Sequence, residues 1–176
     1  MLADAGVSIR PVEPGDATGM ASVRVAAWRA AYRTLMPNHV LEALDPASDT
    51  LRFEKWLSSG VTDGYVATHD SQVVAFVLLR PSRDEDAGDV VGEIPLFYIT
   101  PEWWRRRIGT DLWERALELA GSRGFREVSL WVLEGNTAAR RFYEQCGFEV
   151  DGAVKTDFAL THTPLREVRY RRGVGL

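Results

Sequence analysis

Between Ile94 and Leu112 the chain reads IPLFYITPEWWRRRIGTDL. An apolar, strand-like run ends at a turn, a basic loop follows, and a helix opens on Ile108-Gly109-Thr110. Aligned peptide dipoles leave a helix N-terminus with unpaired N–H groups and about half a positive charge. Arg105, Arg106 and Arg107 stand at that end, which makes it a candidate phosphate site. The rest of the chain is organised around this strand, loop and helix start.

Composition narrows what such a site serves. A chain of 176 residues is expected to form a single domain, 1–176, that buries roughly 70% of its unfolded surface. It is 45% hydrophobic with six Trp, enough for a packed core rather than a disordered chain. A net charge of −4 argues against a nucleic-acid partner, although the arginines at 105–107 and 171–172 are local basic spots. It would suit a cationic amine. The lone Cys146 allows no intrachain disulfide, and His39, His69 and His162 lie too far apart for a metal site, so none is expected. No run approaches the ~20 apolar residues of a membrane span, and MLADAGVSIRPV lacks the pattern of a secretory signal. A cytoplasmic protein with no membrane partner is expected.

Patterning places the elements. Val7–Val12 reads as a strand, Asp16 as the N-cap of a helix running to about Tyr32, and Pro37 as its break. Asn38–Leu44 resumes a helix that Asp45-Pro46 ends, and Thr50–Ser59 makes another, stopped at Gly60. Tyr65–Thr68 and Val73–Leu79 form a hairpin across His69-Asp70-Ser71-Gln72, followed by a charged, mobile loop, PSRDEDAGD. Val90–Ile99 is a strand in which Pro95 predicts a bulge or a splayed edge. A helix follows over Ile108–Ala120 with Ile108, Leu112, Ala116 and Leu119 inward, and Gly121 and Gly124 end it. Glu127–Val132 is an interior strand, and Asn136 caps a helix over Thr137–Gln145 that Gly147 stops. Phe148–Lys155 and Leu165–Arg171 close the chain. The layout is α+β (mixed α/β) on one sheet of about seven strands.

Leu130–Asn136, the helix residues Ala138–Glu144 and the terminal Gly147-Phe148 closely resemble motif B of the GNAT superfamily of N-acetyltransferases: a strand, an Asn, two helical turns, a Tyr and a Gly-Phe. Ala27–Tyr32 with Leu35-Met36-Pro37, and Arg166–Tyr170 near the end, resemble a common bacterial subgroup of the same family. The stretch from Ile94 is similar to motif A, Gln/Arg-x-x-Gly-x-Gly/Ala, with Gly109 on the last glycine, Arg107 on the first and Trp104 on the Gln/Arg position. One motif A anchor of three is kept. The resemblance implies a largely antiparallel sheet with helices on both faces, splayed in a V between strands 4 and 5, where acetyl-CoA lays its pantetheine arm.

It also implies roles. The Ile99 N–H would contact the thioester carbonyl. Gly109, Thr110 and the loop through Arg105, Arg106, Arg107 and Ile108 would hold the pyrophosphate, and Asn136 would cap its helix and meet pantetheine. Arg107 forfeits the close backbone approach of glycine but offers a charged contact. Tyr143, with an ordinary phenol pKa of about 10, would protonate the departing thiolate, against the plain alternative of a packed aromatic. Glu93 falls where histone-acetylating relatives carry their catalytic Glu; it would act directly or through water, with desolvation raising its pKa, against the alternative of a solvated strand end. Trp28 and Tyr32, four residues apart, either pack beneath a loop or form one wall of the acceptor pocket. Trp103 and Trp104 would cover the sheet edge rather than stack on adenine, and Cys146 has no activating base in reach.

The function read from these residues is direct acetyl transfer from acetyl-CoA to a primary amine, with a small molecule or a peptide as acceptor. The alternatives are a protein N-terminal or lysine acetyltransferase, and a degenerate CoA-binding module. A homodimer is left open. The acceptor itself depends on 28–60 and the closing loop 156–164, where the patterning is poor.

Overall fold

The computed structural model describes residues 6–157 and 164–175; His162 and most of the 156–164 loop lie outside the described residues. In order the elements are β1 (Val7–Pro11), α1 (Ala17–Ala31), α2 (Asn38–Glu42), α3 (Pro46–Ser58), β2 (Asp63–His69), β3 (Gln72–Pro81), β4 (Val91–Ile99), α4 (Ile108–Ser122), β5 (Glu127–Leu133), α5 (Thr137–Gln145), β6 (Glu149–Asp157) and β7 (Leu165–Gly173). All seven strands join one sheet in the order β1-β2-β3-β4-β5-β7-β6. Every neighbouring pair is antiparallel except β4–β5, which is parallel.

The apolar run of β3 explains the layering. Its side chains alternate between faces. Phe76 and Leu78 meet Met20, Val23 and Phe53 of α1 and α3, whereas Ala75, Val77 and Leu79 meet Leu112, Trp113 and Ala116 of α4. The inward stripe of α4 is Ile108, Leu112, Ala116 and Ala120 at four-residue spacing, joined by Trp113; Leu119 is half-buried at its margin. That helix also runs past Gly121 to Ser122, and the chain turns at Gly124, whose φ is 81°.

Three local expectations change. Asp45-Pro46 opens α3 instead of closing α2: the Asp45 carboxylate accepts the Ala47 N–H and Pro46 takes the first helical position, where no N–H is required. Asp16 precedes α1 but makes no side-chain cap to it; its carboxylate accepts two bonds from Arg10 and one from the Glu13 N–H. The loop over 82–90 is pinned. Arg169 donates to Asp86 at 2.6 Å and to Asp84 at 3.1 Å, and Trp131 Nε1 also reaches Asp84. Two acids two residues apart converge on one buried guanidinium, which sequence patterning reads only as a charged loop.

The sheet parts where the resemblance requires. β4 and β5 pair only as Val91↔Glu127, Gly92↔Val128 and Glu93↔Ser129, and pairing stops there. On the other side of β4, the register with β3 slips by one residue between Leu78↔Leu96 and Arg80↔Glu93, so a bulge falls at Ile94-Pro95. Pro95 has no N–H to donate to a ladder. Among the described residues, no helix is long and apolar enough to cross a membrane.

Candidate active site

The two diverging strands aim backbone groups at each other. Thr100 N–H donates to Val74 O at 2.9 Å, and groups along an antiparallel strand alternate sides, so Ile99 and Phe97 direct their N–H and C=O away from β3 into the gap. Trp104 Nε1 donates to the Ile99 carbonyl at 2.8 Å, in keeping with that direction. On β5, Glu134 N–H bonds Arg166 O at 2.9 Å, which leaves Trp131 and Leu133 facing the gap in turn. The gap widens into a cleft of about 1200 Å³. Ile99 was singled out from sequence; Phe97, with the same orientation and nearer Glu93, was not, and strand parity was the signal that finds it.

At one end of the cleft lies the start of α4. The first helical bond runs from Asp111 N–H to Arg107 O, so the N–H groups of Ile108, Gly109 and Thr110 precede the intrahelical ladder. Arg107 sits at the N-cap with φ 63° and offers them no side-chain acceptor; Arg105 is also left-handed, at φ 60°. Left-handed residues entering a helix curl successive N–H groups into an anion-binding concavity. Arg107 thus keeps the backbone shape that glycine adopts freely, at a strain of about 1–2 kcal/mol. Gly109 fits a tight approach: a Cβ there would lie 3.1 Å from Ile99 Cδ1 and 3.3 Å from the Phe142 ring, so those side chains would have to shift by a few tenths of an ångström. Arg105, Arg107, Gly109 and Thr110 line the cleft. Arg106 departs from the expected set, its guanidinium lying 4.8 Å above the Trp103 ring. Trp103 in turn packs on His69, at the hairpin end of β2, with ring centroids 4.7 Å apart.

Asn136 and Tyr143 both line the cleft from α5. The Asn136 carboxamide caps the helix, accepting the Ala139 N–H at 3.2 Å. Tyr143 is packed among Phe97, Trp113 and Tyr170, with ring centroids 6.0–6.4 Å away. Burial pushes its phenol well above the usual range, and nearby Tyr98 and Cys146 add to the effect. The ordinary acidity expected from sequence is therefore corrected. Tyr143 stays protonated across the working pH range, and the apolar surroundings that disfavour phenolate also disfavour a thiolate beside it. Burial likewise raises the Cys146 thiol, which keeps it in the less reactive form.

Glu93 stands at the vertex of the V, buried, with Oε2 accepting from Arg80 Nε at 3.1 Å. It is neither a solvated strand end nor the lone desolvated carboxylate pictured from sequence, because an arginine shares its site. Arg80 was missed; its only signal is a charge that terminates the apolar run of β3. Trp28 and Tyr32 pack together beside the segment after α1 and also line the cleft. Their rings meet edge-to-face at 5.0 Å, and Tyr32 packs with Met36, Val40 and Leu41. Burial raises the Tyr32 phenol, with the Asn136 amide acting in the opposite direction.

Comparison with known proteins decides the family. Residues 26–148 match the model of the acetyltransferase (GNAT) family. The chain belongs to that family. YuaI of Bacillus subtilis, named an uncharacterized N-acetyltransferase, is 27% identical over 164 residues, 92% of this chain and 90% of its own. An uncharacterized N-acetyltransferase of Archaeoglobus fulgidus is 38% identical over 101 residues, 54% of this chain and 66% of its own. The fold is shared with the PaiA N-acetyltransferase of Thermoplasma acidophilum in complex with coenzyme A (TM-score 0.75, 18% identity, 96% of this chain and 99% of that one). It is also shared with YncA of Salmonella typhimurium, solved with acetyl-CoA (TM-score 0.73, 17% identity, 98% and 96%). As a member of that family the chain is an acyltransferase.

Proposed function

We propose that this GNAT protein transfers the acetyl group directly from acetyl-CoA to a primary amine within a ternary complex. The observation that carries this reading is the parting of β4 and β5 after Glu93↔Ser129, which opens one cleft onto the α4 start, Tyr143 and Glu93 together. Pyrophosphate would rest on the N–H groups of Ile108, Gly109 and Thr110, with Arg105 and Arg107 beside it. Pantetheine would run along the backbone groups of Phe97, Ile99 and Trp131, with Asn136 near its path.

The amine nitrogen then attacks the thioester carbonyl. A C–N bond forms, and the oxyanion is met by a β4 N–H, that of Phe97, which lies nearer Glu93 than Ile99 does. The amine proton passes to Glu93 through water, and the C–S bond breaks. The sulfur takes a proton from Tyr143, giving an acetamide and free CoA. Holding both reactants in line supplies much of the acceleration, since no acyl-enzyme is needed. An alkylammonium with a pKa near ~10.4 must first lose its proton, so a carboxylate at the vertex acts on a real part of the barrier.

Thiol release from acetyl-CoA with a panel of amines and peptides tests the reading. Turnover of an amine that disappears in Tyr143→Phe is the expected result. Stabilisation by CoA with no turnover on any acceptor would instead leave a CoA-binding module. A peptide N-terminus or lysine as the sole acceptor would make the chain a protein acetyltransferase.

A further inference from the structure

The cleft runs against the charge of the chain. The protein carries a net charge of −4, yet among the described residues the cleft walls hold six cations (Arg52, Arg80, Arg83, Arg105, Arg107, Lys155) against two anions, Glu93 and Glu167. Arg105 and Arg107 belong to the α4 start. The other four do not. Arg80 faces Glu93, and Glu93 precedes Ile99 by six positions on β4, a separation on the order of 20 Å from the place where α4 packs. A pyrophosphate held at that helix does not reach Arg80.

The cations near the vertex are arranged around aromatic faces. Arg80 and Arg52 hold their guanidinium carbons 5.2 Å and 5.4 Å from the Trp56 ring. The Arg80 side chain is only 8% exposed; Nε serves Glu93, while Nη1 and Nη2 bond none of the described residues. Arg52 shares the buried Asp49 carboxylate with Arg24, at 2.6 Å and 2.5 Å, so that trio keeps a net positive charge. Arg83 has no hydrogen bond or ion pair among the described residues and lines the cleft three positions after Arg80 in the chain. A desolvated guanidinium fork with its outer nitrogens uncommitted, flanked by two further cations, fits a planar oxyanion.

We infer that the acceptor is a small amine carrying its own carboxylate a few bonds from the nitrogen, as an amino acid does, with the carboxylate on the Arg80 fork beside Arg52 and Arg83 and the amine at Glu93. This rests on the acetyl-transfer reading above. The short span follows from the Arg80–Glu93 contact at 3.1 Å, because groups bound at each must lie close together. Trp28, Trp56 and Trp131 supply apolar walls for the remainder of the molecule. Lys155 is paired with Glu167 at 3.1 Å, so a polyamine at this end would meet Arg80 and Arg52 against Glu93, and like charges repel it.

The test compares L-amino acids, each with its α-amide, and spermidine as acceptors in the thiol-release assay. In parallel, calorimetry measures the same acids and amides against the CoA-saturated protein. At least one acid should exceed its amide about tenfold or more in kcat/KM, as expected for a charge-assisted clamp. Arg80→Lys retains the charge beside Glu93 but loses the fork, so it should raise KM for the acid more than for the amide; Arg83→Gln should do so to a smaller degree. Amides or spermidine used as well as the acids would overturn the inference while acetyl transfer stands. If no amine is turned over, acetyl transfer falls, and calorimetry decides the clamp: tighter binding of acids than amides upholds it, and equal or absent binding overturns it.

Discussion

The two ends of the cleft are built differently. The end proposed for CoA is made of backbone: N–H groups at the start of α4, strand edges on β4 and β5, and a glycine at 109 that lets α4 approach Ile99 and Phe142. The acceptor end is made of side chains, Trp28, Arg52, Trp56, Arg80 and Glu93, drawn from α1, α3, β3 and β4. Backbone recognition tolerates sequence change as long as the dihedral angles survive, as Arg107 at φ 63° illustrates. Side-chain recognition does not, so acceptor selectivity is proposed to lie there.

Substitutions at the two ends should separate by size and kind of effect. The largest loss is expected from Tyr143→Phe, which removes the proton for the leaving thiolate; kcat should fall on the order of 10²–10⁴-fold at unchanged CoA affinity. An equal kcat would remove Tyr143 as the acid. Glu93→Gln should lower kcat/KM by about 10–100-fold and move the pH–rate profile upward, because the free amine must then come from solution equilibrium. A profile that stays in place would leave the base unassigned.

Effects at the backbone end should be smaller. Gly109→Val presses a branched side chain on Ile99 and Phe142, and calorimetry should show the Kd for CoA rising about tenfold while KM for the acceptor holds. Arg107→Gly relieves the left-handed strain and should stabilise the protein by about 0.5–1 kcal/mol in a denaturant titration. If CoA affinity also survives, the concavity is backbone alone; a marked loss would show that the Arg107 guanidinium contributes. The smallest effect is expected at the loop over 82–90. Arg169 beside Asp86 holds that carboxyl down at about 2, below its unfolded value. The contribution is therefore present above the unfolded pKa and lost as pH falls through about 2. Hydrogen exchange should quicken in this loop on acidification while the neighbouring strand β3 stays protected, and salt should blunt the difference because Asp86 is exposed.

Much of this was legible before folding was considered. The turn Asp70-Ser71, the cap at Asn136 and the stop at Gly147 are local chemistry, and each lies where its residue type predicts. The bulge followed from Pro95, which cannot donate to a ladder. Misplaced boundaries arose where one residue type has two uses: Asp-Pro can end a helix or begin one, and at 45–46 it begins one.

By itself, then, the amino-acid sequence determined the elements, the motifs and the helix start that opens on the cleft, because caps, strand alternation and a helix start act over a few residues. Only the tertiary structure decided which side chains meet at the other end of the cleft. Arg80 meets Glu93 through a register shift, Trp56 meets Arg80 through packing of α3 on the sheet, and Arg169 gathers Asp84 and Asp86 from one loop and Asp151 from β6. Such contacts join residues distant in the chain, and neither spacing nor composition carries the information about which charge will lie beside which.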